Sequence, residues 1–164
     1  MKIVARAEWQ ASEAEPKPAL AFLPGGERRR LTELERAVLQ VVHEVMPEGR
    51  ELPVVMASRW GEIGVTLKLM RQFHEEREMS PAGFSNSVHN AAAGHVSRLH
   101  GNHATYTAVA AGAESYAMGL LEASTYPGEV IFVYAEESTP EFYRPHFGPV
   151  ERAHAVALLI DNRE

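Results

Sequence analysis

Residues 104–123 read ATYTAVAAGAESYAMGLLEA, and this stretch decides the predicted fold. Residues 104–109 are predicted to form a strand that runs directly through residues 110–112 into a helix ending near Glu122. A strand that turns at once into a helix projects one side chain beside the backbone N–H groups of a helix N-terminus, as a nucleophile elbow does. The same pattern is typical of an ordinary strand–helix turn in which small residues allow close packing.

The residue at the tip of this turn is Val109. A nucleophilic site would place a serine or a cysteine there, because attack on a carbonyl needs a hydroxyl or a thiol. Valine can neither attack a carbonyl nor relay a proton. The chain of 164 residues contains no cysteine, which excludes thiol nucleophiles, thiolate metal ligands and disulfides together.

Predicted strands and helices alternate along the rest of the chain. Thr32 and Glu35 form a capping-box pair that starts a helix, and Pro47 ends this helix. We expect one domain over residues 1–164, of α/β class, with a mostly parallel mixed sheet and helices packed on it. The other predicted strands are 2–9, 52–56, 129–135 and 153–160, and the other predicted helices are 62–77 and 85–100.

Charge and hydropathy limit the kinds of partner. The net charge is −6, and the single basic run is Arg28, Arg29 and Arg30, so no nucleic-acid partner is expected. These arginines are typical of a solvated surface, and a weaker interpretation is the docking of an acidic carrier protein. The sequence lacks an apolar signal core and a run of 18 apolar residues, which predicts a cytoplasmic protein without a membrane span.

Neither a metal site nor a serine–histidine pair is predicted. The spacing of His89, His95 and His100 does not follow the i, i+3 or i+4 rule for one helix face, and Asp161 is the only aspartate. His103 is the fourth histidine of this stretch, and it does not complete a metal site. No metal and no cofactor are therefore expected. Ser87 and His89 would face apart on a helix. The Ser80-Pro81 step is typical of a capped helix start.

Two segments carry a resemblance to a known family. Residues 79–101 read MSPAGFSNSVHNAAAGHVSRLHG, and residues 106–123 contain the elbow. They resemble the N-terminal half of the β-ketoacyl synthases, which have the thiolase fold. The family's Ser-Pro, Asn-x-x-Ala-Gly-His and Thr-Ala-Cys-x-x-Gly motifs match Ser80-Pro81, Asn90 to His95 and Thr107 to Gly112.

The resemblance extends to a short β-ketoacyl synthase-like group that includes the chain length factor subunits of aryl polyene gene clusters. Residues 26–31 (GERRRL), 57–62 (ASRWGE), 85–90 (SNSVHN) and 121–123 (LEA) are similar to that group. Val109 stands where the family has its catalytic cysteine. The chain also stops near the end of the first thiolase half, so the two catalytic histidines and the lysine of the second half have no counterpart.

The resemblance implies a non-catalytic subunit that forms a heterodimer with a full-length β-ketoacyl synthase and shapes its acyl tunnel. The acyl carrier protein would then be an indirect partner, and the product would be of fatty acid or polyketide type. By position, the strand that ends at the elbow should pair across the subunit interface. The residues expected at this interface or near the tunnel are Phe84, Asn86, His89, Asn90, Thr105, Tyr106, Thr107 and Val109.

Two other functions stay open at the level of sequence. One is a small hydrolase or acyltransferase that uses Ser87, Ser115 or a histidine. The other is a homodimeric acyl-binding module that replaces the missing half by self-association.

Overall fold

Five strands form one mixed sheet in the computed structural model, which describes residues 1–163. Their order across the sheet is β1-β5-β4-β2-β3. The β4–β2 and β2–β3 pairs are parallel, whereas β5 is antiparallel to both of its neighbours, β1 and β4. Four strands therefore run in one direction, which confirms the predicted mostly parallel mixed sheet. The strands are β1 (Lys2–Gln10), β2 (Val54–Ala57), β3 (Tyr106–Val109), β4 (Glu129–Glu136) and β5 (His154–Asp161).

Six α-helices connect the strands among the described residues. The predicted capping box is present, since Glu35 N donates to Thr32 Oγ1 at 3.0 Å and Thr32 N donates to Glu35 Oε2 at 2.8 Å. No described helix combines the length and the apolar character that crossing a bilayer requires. The helices are α1 (Gly25–Arg28), α2 (Glu33–Val45), α3 (Ile63–Glu76), α4 (Pro81–Ser85), α5 (Ala91–His100) and α6 (Ser115–Ser124).

The helix predicted over 85–100 is wrong at its start, because α5 begins at Ala91. The preceding segment instead forms the short helix α4, whose N-cap Ser80 accepts from Gly83 N at 3.2 Å. At its last residue, Ser85 Oγ donates to Pro81 O, and beyond it Ser87 Oγ donates to Phe84 O. Serine hydroxyls that bond to nearby backbone groups in this way compete with a continuous helix.

The two faces of the sheet are covered unequally. Helices α2 and α5 pack on one face and enclose the larger apolar core, which includes Val54 and Met56 of β2. The other face carries α6 over β2 and β4, with Val55 and Ala57 in a smaller core. Both faces of β2 are therefore buried, as expected for a short, continuously apolar strand in a parallel part of a sheet.

Gly119 allows α6 to lie close to the sheet. A Cβ atom built on Gly119 would lie 2.6 Å from Ala57 Cβ and 2.7 Å from Cε2 of the Phe132 ring. Both distances are far below a van der Waals contact, and the Ala57 methyl group is fixed by its strand. The helix therefore cannot keep its position with any larger residue at 119.

We expect Gly119→Ala to lower the free energy of unfolding by about 1–3 kcal/mol, because the added methyl group forces the helix away from the sheet. Urea denaturation measures this change. The matched control is Gly94→Ala in α5, where an added Cβ meets no atom within 4 Å. It should stabilise the chain by about 0.5–1 kcal/mol, as Gly to Ala does inside helices. Equal effects of the two changes would contradict the close approach of α6.

Candidate functional site

The carboxyl ends of β2, β3 and β4 meet at one edge of the sheet, where open α/β sheets usually hold their ligands. Val109 ends β3, Ser58 follows β2, and Glu136 ends β4. Ser58 N donates to Val109 O at 3.1 Å, and Ser58 Oγ donates to Glu136 Oε2 at 3.2 Å. We call Ser58, Gly61, His89, Val109 and Glu136 the strand-end cluster.

His89 closes the strand-end cluster from the segment between α4 and α5. Its Nε2 lies 2.9 Å from Ser58 O. Because a carbonyl oxygen can only accept, Nε2 of His89 carries the proton of this hydrogen bond. The ring packs against Gly61, whose φ is +56° and where an added Cβ would lie 2.5 Å from His89 Nδ1. Glycine at 61 therefore provides both the left-handed backbone and the space for the ring.

The elbow itself is held by apolar packing and by local hydrogen bonds. The half-buried side chain of Val109 packs against the smaller core beneath α6. Gly112 adopts a φ of +56° and is the first residue of the short helical turn that leads into α6. Ser115 is fully buried, and its Oγ accepts from Ala111 N at 2.9 Å and donates to Gly112 O at 2.8 Å. The hydroxyl of Ser115 thus stabilises the turn.

Strand β3 lies at an edge of the sheet and has no neighbour on its outer side within residues 1–163. Val54 N donates to Thr105 O at 3.0 Å, and Ser58 N donates to Val109 O. Backbone groups alternate in direction along a strand, so the peptide groups of Tyr106 and Ala108 point away from β2. The Tyr106 side chain is 42% exposed. This edge can therefore accept another strand.

The other predicted interface residues come before or within β3 in the sequence, and they do not all contact one another in the structure. Phe84 of α4 is 57% exposed, Asn86 follows that helix and is half-buried, and Asn90 is the exposed N-cap of α5. Thr107 Oγ1 lies 3.2 Å from Tyr126 Oη. The structure thus joins His89 to Val109 through Ser58, and it shows no hydrogen bond from the side chains of Phe84, Asn86 or Asn90 to the cluster.

Sequence reasoning missed Ser58 and Glu136. Both residues are almost completely buried, and Glu136 also accepts from the backbone N–H of Arg59. They directly follow or end the apolar strands β2 and β4. A polar residue at the carboxyl end of a predicted buried strand was the signal that could have located them.

The arginine run has one anchored member and two exposed ones. Arg28 Nη1 donates to Ala19 O at 3.0 Å. Arg29 and Arg30 are exposed, and no carboxylate of the described residues lies within 4.0 Å of either guanidinium. Exposed cations of this kind are available to an acidic partner.

Histidines lie in pairs with other residues rather than in a metal-binding group. His95 Nε2 lies 3.1 Å from Glu35 Oε1, and His100 Nε2 lies 3.3 Å from His43 Nδ1. Burial lowers the pKa of His100, and the neighbouring His43 lowers it further. Within residues 1–163, no three or more histidine or carboxylate side chains are placed to hold one metal ion.

Buried carboxyl groups lie just beyond the strand-end cluster. Glu62 is 2% exposed, and Thr32 Oγ1 donates to its Oε1 at 3.0 Å. Burial raises the pKa of Glu62 to about 9, and the charges of Glu35 and Glu137 add to this effect. Burial likewise raises the pKa of Glu137 to about 7, although the N–H of Gly64 donates to this carboxyl group and opposes the shift. Near neutral pH the folded chain therefore holds protons that the unfolded chain releases.

The sheet order, the single opposing strand β5 and the elbow beneath α6 define an α/β unit of the thiolase type. Structural comparison agrees. A chain in the complex of the ketosynthase (ApeO) with its chain length factor (ApeC) from Xenorhabdus doucetiae has a TM-score of 0.85 and 23% identity, covering 99% of this chain and 79% of that chain. The ishigamide ketosynthase/chain length factor has a TM-score of 0.68 and 16% sequence identity. This match covers 84% of this chain and 45% of that chain.

PksG, a 3-hydroxy-3-methylglutaryl-CoA (HMG-CoA) synthase from Bacillus subtilus, has a TM-score of 0.50 and 16% identity over 99% of this chain and 41% of that chain. At these identities the likenesses show the fold. The family model of the beta-ketoacyl synthase N-terminal domain matches residues 4–164, so the chain belongs to this family. The resemblance inferred from the sequence is thus confirmed. No curated protein matches the chain.

We expect the stability of the chain to fall as the pH rises from about 4.5 to about 9. The pKa of Glu62 is raised above its unfolded value of 4.5, so the folded state binds the extra proton and each pH unit in this window costs at most about 1.4 kcal/mol. Glu62→Gln should remove this cost and stabilise the chain at pH 8 much more than at pH 5. Chemical denaturation at the two pH values measures the difference.

The control for this experiment is Glu13→Gln, which makes the same substitution at an exposed carboxylate. Its effect on the unfolding free energy should be small and similar at both pH values. A Glu62→Gln chain whose gain is independent of pH would show that Glu62 is ionised in the fold.

Proposed function

We propose that this chain is a non-catalytic subunit, of the chain length factor kind, that pairs with a full-length β-ketoacyl synthase and shapes its acyl tunnel. The observation that carries the proposal is Val109 at the tip of the elbow, at the end of an edge strand whose outer side is unpaired within residues 1–163. The family forms its acyl thioester on a cysteine at the matching position, whereas valine offers a hydrocarbon.

The surroundings of Val109 support this proposal. The Nε2 proton of His89 is committed to Ser58 O, and the Ser58 hydroxyl is committed to the buried carboxylate of Glu136. The two serines considered for a hydrolase, Ser87 and Ser115, donate to backbone carbonyls. Neither hydroxyl bonds to a histidine or a carboxylate in the described chain, so a general base for serine attack is missing at both positions.

A partner subunit would cover two surfaces that a free chain leaves in water. One is the outer edge of β3, with the free peptide groups of Tyr106 and Ala108. The other is the outer side of α6, where Met118 and Leu121 are 40% and 58% exposed. Large apolar side chains grouped on one helix are typical of a protein interface. The solved complexes described above each combine a ketosynthase with a chain length factor.

In this proposal the subunit acts by shape. Phe84, Asn86, His89 and Asn90 would lie near the partner's acyl tunnel, and their side chains would limit the length of the growing chain. The carrier protein would deliver its acyl group to the ketosynthase, with Arg28, Arg29 and Arg30 as a secondary contact. The pathway would be of the fatty acid or polyketide type, in the cytoplasm, and aryl polyene synthesis is the pathway we favour.

Partner assembly tests the interface. Tyr106→Arg should weaken co-purification with a co-expressed full-length β-ketoacyl synthase at least about tenfold, because a charge would be buried at the β3 edge. Ala108→Pro should do the same by removing an outward N–H while the hydrogen bonds to β2 stay in place. The matched control is Val4→Arg on the opposite edge strand β1, where the side chain is 51% exposed.

Val4→Arg should leave assembly unchanged, and all three variants should keep the melting temperature of the isolated chain within a few degrees. Assembly that survives both β3 changes would overturn the proposed interface. A wild-type chain that forms a stable homodimer and ignores the ketosynthase would favour the self-associating acyl-binding module. Turnover of an acyl thioester by the isolated chain would favour the hydrolase or acyltransferase.

Product length tests the proposed role in the tunnel. Phe84→Ala in the assembled complex should lengthen the main product by about one two-carbon unit, because removal of the ring enlarges the space that the acyl chain can fill. Mass spectrometry of the acyl products measures the distribution. Phe142→Ala is the control, since Phe142 is similarly exposed (55%) but lies in the segment between β4 and β5. Identical product lengths in wild type and Phe84→Ala would place Phe84 outside the tunnel.

A further inference from the structure

A cavity of about 450 Å³ lies between α3, α4 and the residues that precede α2. Its size is within the range of small-molecule sites in proteins. Arg30 and Lys68 carry positive charges at its lining, and Val65, Leu69 and Ala82 supply an apolar wall. The lining contains no carboxylate, although the whole chain has a net charge of −6. We call this space the cationic cleft.

The two cations of the cleft are free of ion pairs with the described residues. No carboxylate there lies within 4.0 Å of Arg30 or Lys68. Glu27, whose carboxylate feels the charge of Arg30, pairs instead with Arg98 at 2.7 Å. Both cations line the same cleft without a counter-ion among the described residues, so an anion bound there would be attracted by both charges.

The other polar groups of the cleft are mostly committed to the fold. The Thr32 hydroxyl belongs to the capping box and also donates to Glu62. The Gln72 side chain accepts from Ser80 N at 3.3 Å and donates to Glu76 Oε2 at 3.0 Å. The Asn86 amide forms no side-chain hydrogen bond within the described residues. Arg30, Lys68 and Asn86 are therefore the groups left to recognise a ligand.

A neighbouring cavity shows that this charge pattern is local. This second cavity has a volume of about 590 Å³ and shares Lys68, Gln72 and Ser80 with the cationic cleft. Its lining also contains one further cation, Arg71, and two carboxylates, Glu75 and Glu76. Mixed charges of this kind give no preference for an anion. The preference is confined to the end of the space near Arg30, because Lys68 lines both cavities.

We propose that the cationic cleft binds a small amphipathic anion, with a phosphate or carboxylate head between Arg30 and Lys68 and a short aliphatic stem on Val65, Leu69 and Ala82. Arginine and lysine both bind such heads through charge-assisted hydrogen bonds, and the apolar wall would bury the stem. This inference goes beyond the proposed subunit role, because it assigns a small-molecule ligand to this chain itself. Two residues of the cleft lining, Asn86 and Arg30, also belong to the surfaces proposed for the tunnel and for the carrier protein.

Titration of the full chain with octyl phosphate and octanoate, followed by calorimetry, tests the proposal and separates the two heads. Saturable binding of at least one of them is expected. It should be clearly tighter than the binding of inorganic phosphate, which lacks the stem, and of octanol, which lacks the charge. The double variant Arg30→Gln/Lys68→Gln should weaken it at least about fivefold, since each exposed charge pair contributes modestly.

The control is the double variant Lys2→Gln/Lys17→Gln, which removes two exposed cations outside the cleft and changes the net charge equally. It should bind as wild type does. The absence of saturable binding of both amphiphiles would overturn the proposal. So would equal weakening by the two double variants, because this would show attraction by net charge alone. A partner-assembly assay on the same proteins keeps this result separate from the proposed subunit role.

Discussion

The hydrogen bonds of Ser58 are the interaction on which the rest of the site depends. Its N–H holds the end of β3 at Val109, its hydroxyl holds the end of β4 at Glu136, and its carbonyl receives the proton of His89. All of its polar groups are paired and it is completely buried. Losing one partner of such a group costs about 1–3 kcal/mol, so the position of the elbow is tightly coupled to β2 and β4.

Unequal coverage of the sheet follows from the same arrangement. Helices α2 and α5 enclose a full core on one face, whereas the opposite face is held by α6, whose Gly119 lets it lie directly on Ala57 and Phe132. A helix pressed this closely onto the sheet buries its small residues and leaves Met118 and Leu121 exposed. The exposed apolar side of α6 and the free edge of β3 thus arise together, and they give a physical reason for the proposed partner.

How much the sequence predicts depends on the range of the interactions. The capping box of Thr32 and Glu35, the apolar strand β2 and the small residues of the elbow are local patterns, and each predicted element is present. The hydrogen bond of Ser58 to Glu136 joins residues 78 positions apart, and no local pattern encodes it. The break at residues 86–90 was missed because serine hydroxyls overrode the helical propensity of the neighbouring alanines. Arg30 and Lys68 are far apart in the sequence, and they line one cleft only because the fold brings α3 close to the residues that precede α2.

The elbow itself supports a role in shape rather than in reaction. Catalytic sites usually break some local rule of stability, for example by holding an unpaired nucleophile or a strained non-glycine residue. Here every local rule is kept. The Val109 side chain packs against an apolar core, the positive φ falls on Gly112, and Ser115 caps the N–H of Ala111. A turn that does not have to hold a nucleophile can be as stable as its packing allows. A stable turn fixes the position of the edge strand β3 for the proposed partner. The valine therefore favours the proposed interface as much as it disfavours condensation.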